Sequence, residues 1–309
     1  MRAAVIGCGA IGTALSVALA RGGAQVYAIT RRTQGCRPIE AELRGFGSAE
    51  VSLCDLESVP KDLDVLVFAT KAYDVADAVS QALSHKMSAR LAVSVQNGLG
   101  PLEIIEDAYR SAVGALIYIG SMREGECRAT YTGGKRVVLG CRGDCDKDAI
   151  RSIAETLASS GLQVDVVRPA EFEGERWLKL AVNSAINPLT LLAWSRNGVI
   201  ASDPLLRETA SSIALETGHV AEGLSVLLPD DPVEATLRTA VETGNNCSST
   251  VQDVASGRRT ELDYINRAVW ERSRGLNFRA ALNLLAYEAG EAASSWLKGR
   301  RSPCEGWHS

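Results

Sequence analysis

Lys179, Asn183 and Asn187 recur at four-residue steps in the otherwise apolar stretch Glu175 to Thr190, ERWLKLAVNSAINPLT. On an α-helix each step drifts by about 40°, so the three side chains fall within roughly 80° of one another. An ammonium and two carboxamides on one face need partners that the stretch itself does not supply. A desolvated Lys drops from a reference pKa of about 10.4 towards roughly 8, a range suited to a general acid at neutral pH. Pro188 should bend or end the helix beside the last Asn. The competing reading is a core helix whose Lys snorkels to water and whose Asn residues bridge to a neighbour.

A second polar cluster lies downstream, in Asn245 to Asp253 (NNCSSTVQD) and Gly257 to Asn266 (GRRTELDYIN). Ser248 or Ser249 could cap a helix, and Thr260 with Asp263 could form a capping box. Glu261 opens an apolar helix, where a carboxylate is costly unless solvated or paired with a cation such as Lys179. The chain has three histidines. His85 falls on a helix-end loop and His308 in the tail; His219, within a helix, is the contender, and a satisfied or surface His is the plainer reading. Lys179 is therefore the stronger proton donor.

These groups need something to act with. Residues 2 to 6 (RAAVI) read as a strand, followed by Gly7-Cys8-Gly9-Ala10-Ile11-Gly12, an Ala/Leu-rich helix and a second strand at Gln25 to Ile29. In that context G-x-G-x-x-G marks a dinucleotide site. Gly7 permits the turn, Gly9 lets a pyrophosphate approach, and Gly12 packs the helix on the sheet. The phosphates then sit on free amides at the helix N-terminus. The second strand ends in Thr30-Arg31-Arg32, with no acid until Glu40. NAD enzymes place a carboxylate there, whereas guanidinium suits a 2′-phosphate, so NADP(H) is expected; a solvated basic turn is the alternative. Strands at Leu63 to Thr70 and Arg90 to Val95 end in Lys71 and in Gln96-Asn97-Gly98, polar groups at the carboxyl ends where a doubly wound sheet holds its ligand.

Further elements follow from periodicity. Helices are expected at Tyr73 to Leu83, Leu102 to Tyr109 and Asp146 to Ser159, and a closing strand at Gln163 to Val167. Alternation at Ala115 to Ile119, Arg128 to Thr132 and Arg136 to Leu139, with Gly133-Gly134 between the last two, predicts an antiparallel hairpin. From Pro169 only helices appear, at Ala170 to Val182, Asn187 to Ala193, Pro204 to Gly223, Pro232 to Glu242, Thr260 to Arg274 and Ala280 to Trp296. The fold class is α/β, a Rossmann-type doubly wound sheet over residues 1–168 followed by an all-α substrate domain over 169–309. The tail from Lys298 reads as loosely held.

Composition excludes several classes. With 46% apolar and 23% charged residues, the 309-residue chain is an ordinary globular one. Its net charge of −4 gives no general pull towards nucleic acid or an anionic membrane. No run approaches the roughly 18 apolar residues of a membrane span. The first strand begins at Arg2, leaving no room for a signal peptide, so a cytoplasmic protein is expected. The eight cysteines are expected to be mostly free buried thiols, with one disulfide among Cys36, Cys54, Cys141 and Cys145 as the thermophile alternative. No metal site is expected, since no His lies near the Cys141/Cys145 pair.

The chain resembles the ketopantoate reductase (2-dehydropantoate 2-reductase) family over nearly its whole length. The resemblance rests on GCGAIG, ATKAYD, QNGLG, WLKLAVNSAINPLT and NCSSTVQDVASGRRTELDYINR, in that order. It implies Lys179 as general acid, with Glu261 positioning it and the substrate. Asn183, Asn187, Ser249, Asn246 and Lys71 would hold a 2-oxo acid. Gly7, Cys8, Gly9, Ala10, Ile11, Gly12, Arg31, Lys71, Asn97 and Glu261 would contact NADP(H). The implied reaction is hydride transfer from NADPH to 2-dehydropantoate, giving pantoate for coenzyme A synthesis. Two departures are visible: GLNFRAALNLL lacks the proline that family members often carry there, and Ser248 stands where Asn often precedes the binding Ser. Another branched 2-oxo acid, a 3-hydroxyacid or opine-type dehydrogenation, and a non-catalytic nicotinamide-binding regulator remain open. Oligomeric state is undecided, a homodimer included.

Overall fold

A computed structural model describes residues 1–304, with no helix long and apolar enough to cross a membrane among them. His308 lies outside the described residues. Two compact units form, Met1–Gln96 with Gly100–Phe172, and Asn97–Leu99 with Glu173 onward.

The first unit is a nine-stranded sheet. Its strands are β1 (Arg2–Ile6), β2 (Gln25–Ile29), β3 (Cys36–Arg44), β4 (Gly47–Cys54), β5 (Asp62–Phe68), β6 (Ser88–Ser94), β7 (Ala112–Gly125), β8 (Arg128–Gly140) and β9 (Gln163–Val166). Helices α1 (Ala10–Arg21), α2 (Val75–Ser84), α3 (Pro101–Ala108) and α4 (Lys147–Ser159) complete it. The spatial order is β3-β4-β2-β1-β5-β6-β7-β8-β9. β1 pairs in parallel with both β2 and β5, so the winding reverses at β1, and its carboxyl end is where such a sheet holds a ligand. Valine- and alanine-rich strands buried on both faces separate two apolar layers, one around α1 and α4, the other around α2 and α3.

The β7–β8 hairpin exists, but its turn is Glu126-Cys127 rather than Gly133-Gly134. Gly133 lies inside β8 opposite Gly120, where the register shifts, and the positive φ of Gly133 and Gly134 absorbs the irregularity. The bent hairpin brings residues 128–130 alongside 42–44 of β3, so its start joins the far end of the sheet. The β3–β4 hairpin was not anticipated at all; its strands of nine and eight residues bury Ala41, Leu43, Val51 and Leu53 on one face and carry mostly polar residues on the other. Phe172 seats its ring over Gly114 and Gly140, where any added Cβ would strike it. Phe172 is 1% exposed. Phe172→Ala should therefore lower unfolding stability by about 3–5 kcal/mol, measured by denaturant titration.

The second unit is helical, with α5 (Pro169–Leu192) entering it at Glu173, then α6 (Val199–Ser202), α7 (Pro204–Gly223), α8 (Pro232–Glu242), α9 (Ser249–Ala255), α10 (Ala268–Ser273) and α11 (Ala281–Leu297). A π-helical turn, Asp263–Arg267, precedes α10. Asp203 and Asp231 cap α7 and α8, each before a proline in the first turn. α5 buries Ala185, Ile186 and Leu189 against α6, α7, α8 and α11, and Trp177 and Leu180 against the Ile265/Val269 side. Pro188, expected to bend or end the helix, does not end it: α5 runs on to Leu192, and Asn266 supplies a donor to the carbonyl that the proline leaves without one.

Three disulfides replace the expected free thiols, Cys36–Cys54, Cys141–Cys145 and Cys247–Cys304. The first joins residues directly opposite in the β3–β4 ladder. The last pins the segment after Lys298, which Trp194 and Arg196 also hold by donating to the carbonyls of Arg301 and Pro303. That stretch is therefore anchored up to Cys304, not loose.

Candidate active site

In the first unit, the glycine turn bridges the ends of three strands. Gly7 N–H donates to Ile29 O at the end of β2, and Ala69 N–H to Ile6 O. Gly7 has φ +110°, and a Cβ there would press on the Ala69 backbone at 2.8 Å. A Cβ on Gly12 would collide with the Gly7 carbonyl, so both positions exclude a side chain. Gly9 is different: nothing lies within 4 Å of where its Cβ would project. Gly9 N-caps α1 without a side-chain bond, and no acid occupies the first turn. Open space before free helix amides fits a pyrophosphate, with Cys8, Ala10 and Ile11 lining the turn. Arg31 follows β2, exposed, and Lys71 follows β5, half-buried.

Gln96, just past the end of β6, secures this rim rather than reaching for a ligand. Its Nε2 donates to Phe68 O and Thr70 O, at 2.7 and 2.9 Å, while its Oε1 accepts from Ser94. Thr70 Oγ1 is buried with no hydrogen-bond partner among the described residues. An acid was missed, because it is distant in sequence. Glu126, from the hairpin turn, lies 3.5 Å from Thr30 Oγ1 and 3.8 Å from Arg37. Its neighbour Cys127 places Sγ 2.6 Å from Cys8 Sγ in the glycine turn. Both are free thiols. That contact depresses the Cys127 thiol and raises that of Cys8. With a small-molecule disulfide as oxidant, Cys127 should attack and Cys8 displace, leaving a Cys8–Cys127 bond and two released thiols. The expected result is a linked peptide pair by mass spectrometry and two fewer alkylatable thiols.

In the second unit, α5 presents Lys179 and Asn183, each partly exposed, and Asn187, 3% exposed. Burial pushes the Lys179 ammonium down to about 8, against the opposing pull of the Glu261 carboxylate. Glu261 is itself 5% exposed, just before the π-turn. The structure thus brings together the two groups that sequence paired only on grounds of cost. Asn187 Nδ2 is buried with no partner among the described residues, a donor left for a ligand. α9 docks on α5 through its N-cap: Ser248 Oγ accepts from Val251 N–H and shares a 2.8 Å bond with Thr190 Oγ1. Capping therefore falls to Ser248, leaving Ser249 half-buried in the first turn. Asn246 pairs its backbone with Asn197 and Thr243.

Asn97 belongs to this unit because Leu99 N–H donates to Tyr264 O, and Gly98, at φ +88°, packs against that same backbone. Thr260 hydroxyl meets Glu291 rather than Asp263, so no capping box forms there. Asp263 instead pairs with Arg259 and Arg267. His85 bonds Gln81 O through Nδ1, and His219 is exposed beside Phe278. No cluster of metal-ligating side chains occurs among the described residues.

A dinucleotide-type sheet, followed by a helical unit with a buried amine beside a carboxylate, defines an oxidoreductase of the Rossmann-plus-helical class. Residues 3–144 match the family described as ketopantoate reductase PanE/ApbA, and residues 171–293 match its C-terminal part. A 2-dehydropantoate 2-reductase of Pyrobaculum aerophilum is 36% identical, over 97% of this chain and 98% of its own. One from Pyrococcus abyssi is 29% identical over 93% and 96%. The chain belongs to the ketopantoate reductase family. Its fold is shared with a PanE/ApbA family ketopantoate reductase from Ralstonia eutropha, at TM-score 0.82, 23% identity and coverage of 96% of this chain and 99% of that one. It is also shared with a D-mandelate dehydrogenase solved with NADH and anilino(oxo)acetate, at TM-score 0.84, 21% identity and the same coverage.

Proposed function

We propose that this chain reduces the ketone of 2-dehydropantoate to (R)-pantoate with NADPH, a step of pantothenate and coenzyme A biosynthesis, with Lys179 as general acid. The observation that carries the reading is the half-buried Lys179 amine in the field of the Glu261 carboxylate, on the helix that also presents the Asn187 amide, which is unpartnered among the described residues. Residues 1–168 serve as the NADP-binding domain and 169–309 as the substrate domain of a cytoplasmic enzyme, with a homodimer the assembly to test by scattering.

When bound, the nicotinamide supplies the hydride. Gly7 to Gly12 hold the pyrophosphate through the α1 amides, and Arg31 takes the 2′-phosphate. Lys71, Asn97 and Glu261 complete the contacts to NADP(H). Asn183, Asn187, Ser249, Asn246 and Lys71 orient the oxo acid. As negative charge grows on the ketone oxygen, the Lys179 ammonium stabilises it and donates its proton. Glu261 keeps enough ammonium charged at neutral pH.

A second cofactor reading has its own support. Glu126 beside Thr30 puts a carboxylate where one would bind a ribose 2′-hydroxyl, favouring NADH. The deciding experiment follows loss of reduced-cofactor absorbance with a panel of 2-oxo acids, using NADPH and NADH in parallel. Preferred consumption of NADPH with 2-dehydropantoate is expected. Turnover of other oxo acids alone, or none at all, would overturn the substrate assignment.

A further inference from the structure

α5 runs through Pro188, which has no N–H, so the Ser184 carbonyl four residues earlier loses its intrahelical donor. A buried carbonyl in that position requires a replacement. Asn266 Nδ2 provides it at 2.8 Å, from the π-turn that follows Glu261. Its other hydrogen goes to Asn283 Oδ1 at 3.1 Å. Asn283 Nδ2 in turn donates to Glu216 Oε2 at 2.9 Å and Thr217 Oγ1 at 3.1 Å. Thr217 Oγ1 shares a 2.9 Å bond with Ser184 Oγ, closing the array on α5. Ser184, Thr217, Asn266 and Asn283 are wholly buried, so these bonds have no water to replace them.

Amide orientation is forced throughout. Ser184 O can only accept, so Asn266 must face it with Nδ2, and Asn283 must then turn its oxygen towards Asn266. Asn266 Oδ1 is left with no partner among the described residues, so the fold uses the residue for its donor. Glu216 anchors the far end, accepting also from the N–H groups of Leu282 and Asn283 in the first turn of α11. The π-turn widens the backbone locally, a device that often serves to aim a side chain.

Ser184 lies between Asn183 and Asn187 and five residues beyond Lys179; Asn266 lies five residues beyond Glu261. The bond therefore sets the segment carrying the carboxylate against the helix carrying the amine. We infer that Asn266 is a positioning residue: by docking on the carbonyl orphaned by Pro188, it holds Glu261 where its charge acts on Lys179. The inference rests on Lys179 being the proton donor. From outside α5, Glu261 is a charged group whose field acts on Lys179; on α5 itself, Glu175 and Arg176 lie one turn before it. Displacing Glu261 removes the influence that raises the ammonium pKa, so the alkaline loss of activity must begin at lower pH.

The test uses the full-length enzyme with Asn266→Ala, Pro188→Ala and the double variant. Pro188→Ala returns a backbone donor to Ser184, so it should shrink the stability lost in Asn266→Ala. It cannot restore the docking. Both Asn266→Ala and the double variant should lose about 10- to 100-fold in kcat, the scale of a misplaced catalytic group. Their alkaline limb should shift to lower pH, which loss of a merely structural contact would not cause. If Asn266→Ala fails to fold, the double variant, whose carbonyl is satisfied, carries the test. A folded variant with wild-type kcat and an unmoved pH limb would make Asn266 structural only and overturn the inference. Unimpaired activity of Lys179→Ala would instead overturn the parent assignment.

Discussion

Lys179→Ala should lower kcat for ketone reduction by about 100-fold or more, the usual scale for a lost general acid, while NADPH still binds. Wild-type kcat/KM should be flat below neutrality and fall as pH rises through about 8, because the donor must be protonated; alcohol oxidation should show the opposite limb. Both limbs should vanish in the variant. Stability offers an independent check of the burial that causes the shift. The unfolded Lys titrates near its ordinary 10.5, and burial lowers the folded one to about 8. Between them the unfolded chain binds more protons, so this group's contribution to stability rises with pH across that window and is least favourable below it. Lys179→Met should remove that pH-dependent rise, measured as Tm against pH. A variant that loses activity together with all folded signal would not count as support.

The second large effect concerns the adenosine end. Arg31→Ala should weaken NADPH by about 10- to 100-fold, the worth of a charge-assisted phosphate contact, and change NADH by about twofold at most. Equal losses would remove the basis for assigning Arg31 to the 2′-phosphate. Glu126→Gln separates the two readings of cofactor choice. It should strengthen NADPH and weaken NADH, since a carboxylate at the Thr30 hydroxyl repels a phosphate but accepts from a ribose hydroxyl.

What could be read from sequence was what repeats along the chain. The glycine turn, the strand ends at Arg31 and Lys71, and the four-residue spacing of Lys179, Asn183 and Asn187 are local patterns with a local physical meaning. The partners that arrive from far away were invisible. Glu126 reaches Thr30 from 96 residues downstream, and Asn266 reaches Ser184 across 82. Pro188 illustrates the limit well. Its missing N–H was legible and read as a bend or an end, but the helix runs on and a tertiary donor serves the freed carbonyl. Cysteine pairing was legible only as an alternative among Cys36, Cys54, Cys141 and Cys145, which do pair, while Cys247 and Cys304, 57 residues apart, gave no local signal. The β3–β4 hairpin does alternate, at Ile39, Ala41 and Leu43 and at Val51 and Leu53, but each apolar run is only two or three residues and the flanking positions are polar.

The Cys247–Cys304 bond closes a ring of chain that contains Ser249, Glu261, Asn266 and all of α11. By loop-entropy reasoning such a ring restricts the unfolded chain by about 4 kcal/mol. A purification buffer containing dithiol reductant opens the ring before any assay begins. Heat tolerance recorded in that buffer then describes a linear chain, and a half-life measured without reductant describes a different covalent molecule.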